Sequence, residues 1–350
     1  MSTTAPTGPA TRDEVVPFTA GDGVPLNLIH VRGKRKPAKP PVLLVHGAGV
    51  RANIFRAPSG RTLVDELVDE GYDVWLENWR ASIDIPRRKW TLDDAAIHDH
   101  PVAVRTVLEH TKADEVRAVI HCQGSTSFMM SAVAGLVPDV SVVVSNAVSL
   151  HPVVNRLAKL KLQWLIPPAA RVLGYLNPQW GVRGAPWLVP KLMGAYVAVT
   201  HRQCSNMVCK WSSYTYGTGE PTLWRHENLN RETHDWLSNE FADVPLTFFQ
   251  QILASVEAGH LVRADDHPAL PHSFVDSPPK TDARFAFFAG SLNACFEPES
   301  QTRTHAWFEQ HDPGRHTVTL VPNYGHLDIF MGSRADRDVF PDMLSELERT

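Results

Sequence analysis

Val119-Ile120-His121-Cys122-Gln123-Gly124-Ser125, followed by a stretch rich in Phe and Met, is the segment on which the reading of the fold turns. It reads as a strand that runs into a sharp turn and then a helix, with a thiol at the apex. A turn of this kind lifts one side chain out of the end of a sheet while the next backbone N–H faces the same pocket. Ile120 stands where such a turn usually has glycine, so the chain must find room there for a branched side chain.

Working outward, the flanking segments alternate between strand and helix. Val15 to Ala20 and Pro25 to Val31, split by Gly21-Asp22-Gly23, predict an opening hairpin. Pro41 to Val45 is a continuous apolar run suited to a strand covered on both faces. A helix over Arg61 to Glu70, stopped by Gly71, and a strand over Asp73 to Glu77 follow. Thr91-Leu-Asp-Asp94 reads as a capping box opening a long helix, with Pro101 either kinking it or marking its true first turn. Glu115 to His121, Gly124 to Gly135 and Val140 to Ser145 continue the alternation, which is the signature of a parallel α/β sheet.

After His151 the rhythm breaks. The stretch to about Pro279 is rich in Trp, Pro and Met, holds six of the ten tryptophans, and predicts helices without intervening strands. Alternation returns with Arg284 to Ala289, a helix around Thr302 to Gln310, a strand over His316 to Val321 and a closing helix from Ala335. The expected organisation is one sheet interrupted by an inserted helical cap: a first core part over 1–150, the cap over 151–279 and a second core part over 280–350.

Composition narrows the function classes. A formal net charge of -4 without blocks of like charge offers no footprint for nucleic acid or an anionic membrane. No apolar run reaches membrane-spanning length, and the start Met1 to Ala10 lacks a basic and apolar leader. The expectation is a cytoplasmic protein with a short disordered arm in front, acting on small molecules. Four cysteines are too few for a disulfide framework and leave thiol chemistry available.

Cys122 needs a base, a group to orient that base, and donors for an oxyanion. His326, in Asn323-Tyr-Gly-His-Leu-Asp328 directly after the last strand, is the candidate base, and Asn293, after the preceding strand, is the candidate orienting group. Glu297 and Asp328 are its rivals. Cys with Asn is a physically coherent pairing, because a thiolate resting beside a protonated His needs only a neutral amide to hold the ring. His46-Gly47-Ala48-Gly49 closes the strand that ends at Val45, and the N–H groups of Ala48 and Gln123 are the expected oxyanion donors, with Gly124 shaping the turn.

Three other patterns have plainer readings. Gly47 to Ala52 spells Gly-x-Gly-x-x-Ala, but the strand ending near Glu77 comes too late for the acidic residue of a dinucleotide site. His98-Asp99-His100 reads as a solvated helix start, since adjacent helical residues point in different directions. Cys204 and Cys209 match no common zinc spacing and no His pair follows at finger spacing, so they read as buried small side chains; no metal and no cofactor is expected.

With these residues in view, the chain resembles the α/β-hydrolase module fused to, or encoded near, cholesterol-oxidase-like flavin oxidoreductases of the glucose-methanol-choline type. The resemblance lies in His121 to Ser125, Ser145 to Pro152, His226 to His234, Asn293 to Glu299 and Tyr324 to Asp328. It implies an α/β-hydrolase fold and a Cys/His pair. The chain shows no flavin-binding segment, so any flavin oxidoreductase partner would be a separate protein. The expected activity is acyl handling of a carboxyl ester, thioester or lactone by Cys122, His326 and Asn293. Acyl transfer to an alcohol or amine and a non-catalytic binding role are the alternatives. The cap's Trp and Met content implies an apolar substrate, with Trp211 and Trp224 as expected contacts.

Overall fold

The computed structural model describes residues 11–148, 150–218 and 222–349. The arm expected over residues 1–10 lies outside them. The core is an eight-stranded sheet in the order β1-β2-β4-β3-β5-β6-β9-β10. β1 (Arg12–Thr19) and β2 (Pro25–Arg32) form the antiparallel hairpin that Asp22-Gly23 predicts, and β2 runs antiparallel to β4 (Asp73–Asn78). From β4 onward all pairs are parallel, through β3 (Pro41–Val45), β5 (Val116–His121), β6 (Val140–Asn146), β9 (Arg284–Gly290) and β10 (Thr317–Val321).

β3 and β9 are buried along their whole length, as continuous apolar runs in a doubly covered sheet require, whereas β1 alternates at the wet edge. The covering helices are α1 (Leu63–Asp69), α3 (His100–Thr111), α4 (Cys122–Val133), α11 (Glu299–His311) and α14 (Phe340–Glu348). α1 begins at a Thr62/Asp65 capping box and stops before Gly71, whose φ is +87°. The closing helix expected from Ala335 is broken into α13 (Ala335–Asp338) and α14.

The segment before α3 departs from expectation. The Thr91/Asp94 capping box is present and opens α2 (Leu92–Asp94), but Ala95–Asp99 is a π-helical turn before α3 restarts with Pro101 in its first turn. The solvated helix start expected at His98 to His100 is not what forms, because Asp99 and His100 are fully buried. Arg80 binds the Asp99 carboxylate at 2.6 to 3.0 Å. His100 lies 3.0 Å from the Glu77 carboxylate and 2.7 Å from Ser127 Oγ. The partners come from the end of β4 and from α4, far away in sequence.

Between β6 and β9 the chain forms α5 (Arg156–Val172), α6 (Trp180–Arg183), α7 (Leu188–Thr200), α8 (Met207–Tyr216), α9 (Arg231–Trp236) and α10 (Leu246–Ala258). The expectation of helices alone needs one correction: β7 (Tyr175–Leu176) and β8 (Val244–Pro245) pair antiparallel as a small separate sheet. Among the described residues no helix is long and apolar enough to cross a membrane.

Candidate active site

β5 ends at His121 and α4 begins at Cys122, whose φ of +57° lies in the left-handed region that residues with a Cβ rarely adopt. Holding it there costs on the order of 1–3 kcal/mol. The surroundings explain why the turn closes despite Ile120, whose side chain stays in the sheet core with its backbone paired to Val45 and Ser145. Gly124 is where the close approach occurs: a Cβ there would sit 2.1 Å from the His46 carbonyl oxygen. A Cβ on Gly47 would meet Cys122 Cβ at 2.9 Å and Sγ at 3.3 Å. The loop after β3 and the turn after β5 are therefore in direct contact through two glycines.

That loop is fixed from several sides. The His46 ring is fully buried with Nδ1 2.6 Å from the Gly47 carbonyl oxygen, and burial pushes its pKa down to about 3, so it is neutral. The His46 carbonyl accepts from Trp79 Nε1 at 2.9 Å. Gly49, with φ +70°, donates to the Ala81 carbonyl at 3.0 Å and accepts from the Ala242 N–H at 3.1 Å. The Tyr216 hydroxyl donates to the Ala48 carbonyl at 2.8 Å.

The Cys122 thiol is held well below its ordinary pKa. The largest cause is a hydrogen bond from the Cys295 thiol, followed, against the opposing effect of burial, by the positive potential of His326 and by the Gln123 N–H. Cys295 is pushed the opposite way, because it keeps its proton to share with the neighbouring sulfur and is itself buried. Its thiol has a second acceptor in the Tyr216 carbonyl at 3.4 Å.

His326 is buried beside Cys122, and the side-chain donor atoms of His121, Cys122 and His326 all lie within 4.8 Å of one another. The rings of His121 and His326 are 4.7 Å apart. Neither His326 nitrogen has a well-formed hydrogen bond, yet both the charge of its ring and a hydrogen-bonding contact to the sulfur help to hold the Cys122 thiol down. Asn293 does not reach the ring: its amide oxygen accepts from the Cys295 N–H at 3.0 Å. Asp328 is also engaged elsewhere, accepting from the Gly325 N–H at 3.0 Å and from Asn228 Nδ2 at 2.6 Å. Glu297 makes no hydrogen bond to the ring either, and its N–H donates to the Val153 carbonyl at 2.8 Å. The sequence thus places Cys122, His326, Gln123, Ala48 and the glycines at one centre, and puts Asn293 on the loop next to Cys295.

The space around the thiol is apolar. A small pocket is lined by Ala48, Cys122, Tyr216, Leu223, Phe241 and His326. A second pocket, of about 40 Å³, shares Tyr216 with it and reaches Gln123, Cys295, Phe248, Phe249 and Lys161. Lys161 and Gly217 also border an open groove of about 1240 Å³ between α5 and α7, where Leu157, Leu165, Leu192 and Tyr196 stand exposed. Lys161 is half-buried, donates to the carbonyls of Tyr214 and Gly217, and has its pKa lowered to about 7 by desolvation. Trp211 and Trp224, the expected substrate contacts, are instead fully buried within the insertion and line none of these cavities.

The sequence profile described as alpha/beta hydrolase fold matches residues 40–333. The chain belongs to this family. Human lipase member K is 23% identical to it over 367 residues, covering 94% of this chain and 86% of that protein. Triacylglycerol lipase 2 of Arabidopsis thaliana is 22% identical over 349 residues, covering 94% and 78%. Two solved structures share the fold: an esterase from Exiguobacterium antarcticum, with TM-score 0.55, 13% identity and coverage of 95% of this chain and 99% of that one; and the monoacylglycerol lipase of Paleococcus ferrophilus, with TM-score 0.54, 12% identity and coverage of 97% and 100%.

Within this α/β hydrolase, reading from sequence missed three residues at the centre. Cys295 lies two positions from Asn293 on the same loop, and that proximity is the one sequence signal that points to it. His121 reads in sequence only as part of the turn, yet its ring is buried, its Nδ1 accepts from Asn146 Nδ2 at 2.8 Å, and burial holds it neutral. Tyr216 lies in the insertion, with no spacing that ties it to Ala48.

Proposed function

We propose that this α/β hydrolase handles acyl groups through Cys122, on an apolar carboxyl ester, thioester or lactone. The observation that carries the reading is the position of Cys122: a thiol in the left-handed apex of the strand–helix turn, acidified by Cys295, His326 and the Gln123 N–H. Its proton passes to His326. The thiolate attacks the substrate carbonyl, a C–S bond forms, and the N–H groups of Gln123 and Ala48 receive the oxyanion. His326 then returns its proton to the departing oxygen or sulfur as that bond breaks, leaving an acyl-thioester. Water, deprotonated by His326, releases the acid and restores the thiolate.

The names of the lipase relatives favour an ester substrate, and the apolar groove leading past Lys161 favours a hydrophobic one. The α5–α10 insertion serves as the cap that selects it. Asn293 acts by fixing Cys295 and not by orienting His326. An alcohol or amine acceptor in place of water is supported by the burial of Cys122 in apolar surroundings, in which a thioester would outlast its encounter with water. The sequence resemblance suggests a separate flavin oxidoreductase in the same pathway.

Intact-protein mass spectrometry after exposure to a panel of activated esters and thioesters tests the proposal. The expected result is one acyl adduct, mapped to Cys122 and absent from Cys122→Ala, with its removal by water or an added acceptor defining the second half-reaction. No adduct with any ester of the panel, or an adduct on another residue, overturns it.

A further inference from the structure

The two cysteines read from sequence as buried small side chains are brought against two histidines. Cys204 lies in the turn after α7, Cys209 in the first turn of α8, His226 opens a short 3-10 turn over His226–Asn228, and His234 lies on α9. Their ligand atoms all lie within 4.8 Å of one another. Cys209 Sγ and His226 Nε2 are 3.4 Å apart, and the His226 and His234 rings are 4.9 Å apart. His234 Nε2 is buried with no hydrogen-bond partner. A tetrahedral zinc held by two thiolates and two imidazoles has donor–donor edges of about 3.3–3.8 Å, given bonds of about 2.3 Å to sulfur and 2.0–2.1 Å to nitrogen. Small adjustments of four side chains would bring this cluster to that geometry.

We propose that Cys204, Cys209, His226 and His234 form a structural metal site, with zinc the expected ion. The donor set is soft and closed: two sulfurs and two imidazole nitrogens suit zinc over magnesium or calcium, and four protein ligands leave no open position for substrate. Binding would displace the protons of both thiols and leave a neutral site. The scaffold is firm on both sides. The Asn206 side chain accepts from the N–H groups of Val208 and Cys209 at 2.9 and 3.2 Å, while its amide donates to the His234 carbonyl and Ser238 Oγ at 3.2 and 2.9 Å. Sequence spacing hid the site, because the cysteine pair and the histidine pair meet only in the fold, where Asn206 at the start of α8 bonds the His234 carbonyl and Ser238.

The site has a consequence for the catalytic loop. The segment carrying His226 also grips the turn that holds His326: the Leu327 N–H donates to the Leu223 carbonyl at 2.7 Å, and Asn228 Nδ2 donates to Asp328 and to the Asn323 carbonyl. A metal at the four ligands would therefore anchor a positioning brace for His326, outside the reacting atoms.

The test is metal content and spectroscopy on the full chain produced with zinc in the medium and then desalted. About one equivalent of zinc per chain is expected, and cobalt substitution should give thiolate charge-transfer and intense tetrahedral ligand-field bands. Cys122→Ser should keep the metal and Cys204→Ser should lose it, which separates this site from the His121, Cys122 and His326 cluster. Should Cys204→Ser fail to fold, alkylation of the unaltered chain decides: Cys204 and Cys209 are expected to be protected until a chelator is added. Absence of bound zinc together with no cobalt spectrum overturns the proposal, as does metal lost in Cys122→Ser, or equal alkylation with and without chelator.

Discussion

Cys295 is the largest influence on the Cys122 sulfur, so the thiol held well below its ordinary pKa is paired with one that its neighbour and burial push up. Serine-based triads place a carboxylate behind the histidine; in the proposed mechanism the negative charge would instead rest on the Cys122 sulfur, with a second sulfur sharing in holding it. This arrangement explains how the centre can be assembled without a carboxylate or amide on His326.

Cys122 is expected to alkylate as a thiolate well below neutral-thiol conditions. Its pKa lies well below the ordinary value of 9.0, so reactivity should persist as pH falls through about 8.5, where a free thiol loses it, and disappear only when pH drops through Cys122's own pKa. Iodoacetamide rates against pH, resolved by peptide, measure this. Cys295→Ala should move the profile upward, because the largest acidifying contact is removed.

Asn293→Ala should lower turnover by roughly tenfold and raise the Cys122 pKa, through release of the Cys295 N–H, a loss of about 1–2 kcal/mol. Asn293→Asp keeps an acceptor and should be close to the parent in the alkylation profile. If Asn293→Ala changed turnover while the thiol titration stayed fixed, its role would lie with His326 instead.

Gly47→Ala should abolish acylation while the protein still folds, since its Cβ would meet the Cys122 side chain at 2.9 Å and yielding would swing the thiol away. Gly124→Ala is a harsher change. Its Cβ would lie 2.1 Å from a backbone oxygen, so loss of soluble protein or a steep drop in thermal midpoint is expected.

Asp99→Asn should destabilise the fold by about 3 kcal/mol, the low end for breaking a buried ion pair, because Asp22 still holds Arg80 at 3.0 and 3.1 Å. Chemical denaturation reads this directly, and acylation of Cys122 in the folded fraction should be unchanged.

Leu192→Ser combined with Tyr196→Ser should reduce kcat/KM for long-chain esters by roughly 5–30-fold, equivalent to about 1–2 kcal/mol of apolar contact, and leave acetyl esters nearly unaffected. Equal losses for both would detach the groove from substrate binding.

What sequence made legible followed from periodicity and turns. The buried runs at Pro41 to Val45 and Arg284 to Ala289, the Asp22-Gly23 hairpin and the thiol after His121 each announce themselves within a few residues, and together they order the sheet. What stayed hidden depends on partners distant in the chain. Asp99 and His100 look like surface charge until Arg80 and Glu77 are folded against them, and Cys204 and Cys209 look inert until α9 delivers His234. Asn293 shows the same dependence on surroundings: an Asn in a turn has a local backbone donor available, and the Cys295 N–H two residues on occupies its oxygen.

Tyr216 bonds the Ala48 carbonyl, Ala242 bonds Gly49, and Leu223 receives the N–H of Leu327. The inserted helices are thus sewn to both loops that frame the sulfur. For protein engineering this makes the insertion a poor module for exchange. A chimera that imports a relative's lid by cutting at the sheet boundaries would unpick the stitching of the centre itself, and redesign of specificity belongs in the side chains of the α5–α7 groove, where no such seam runs.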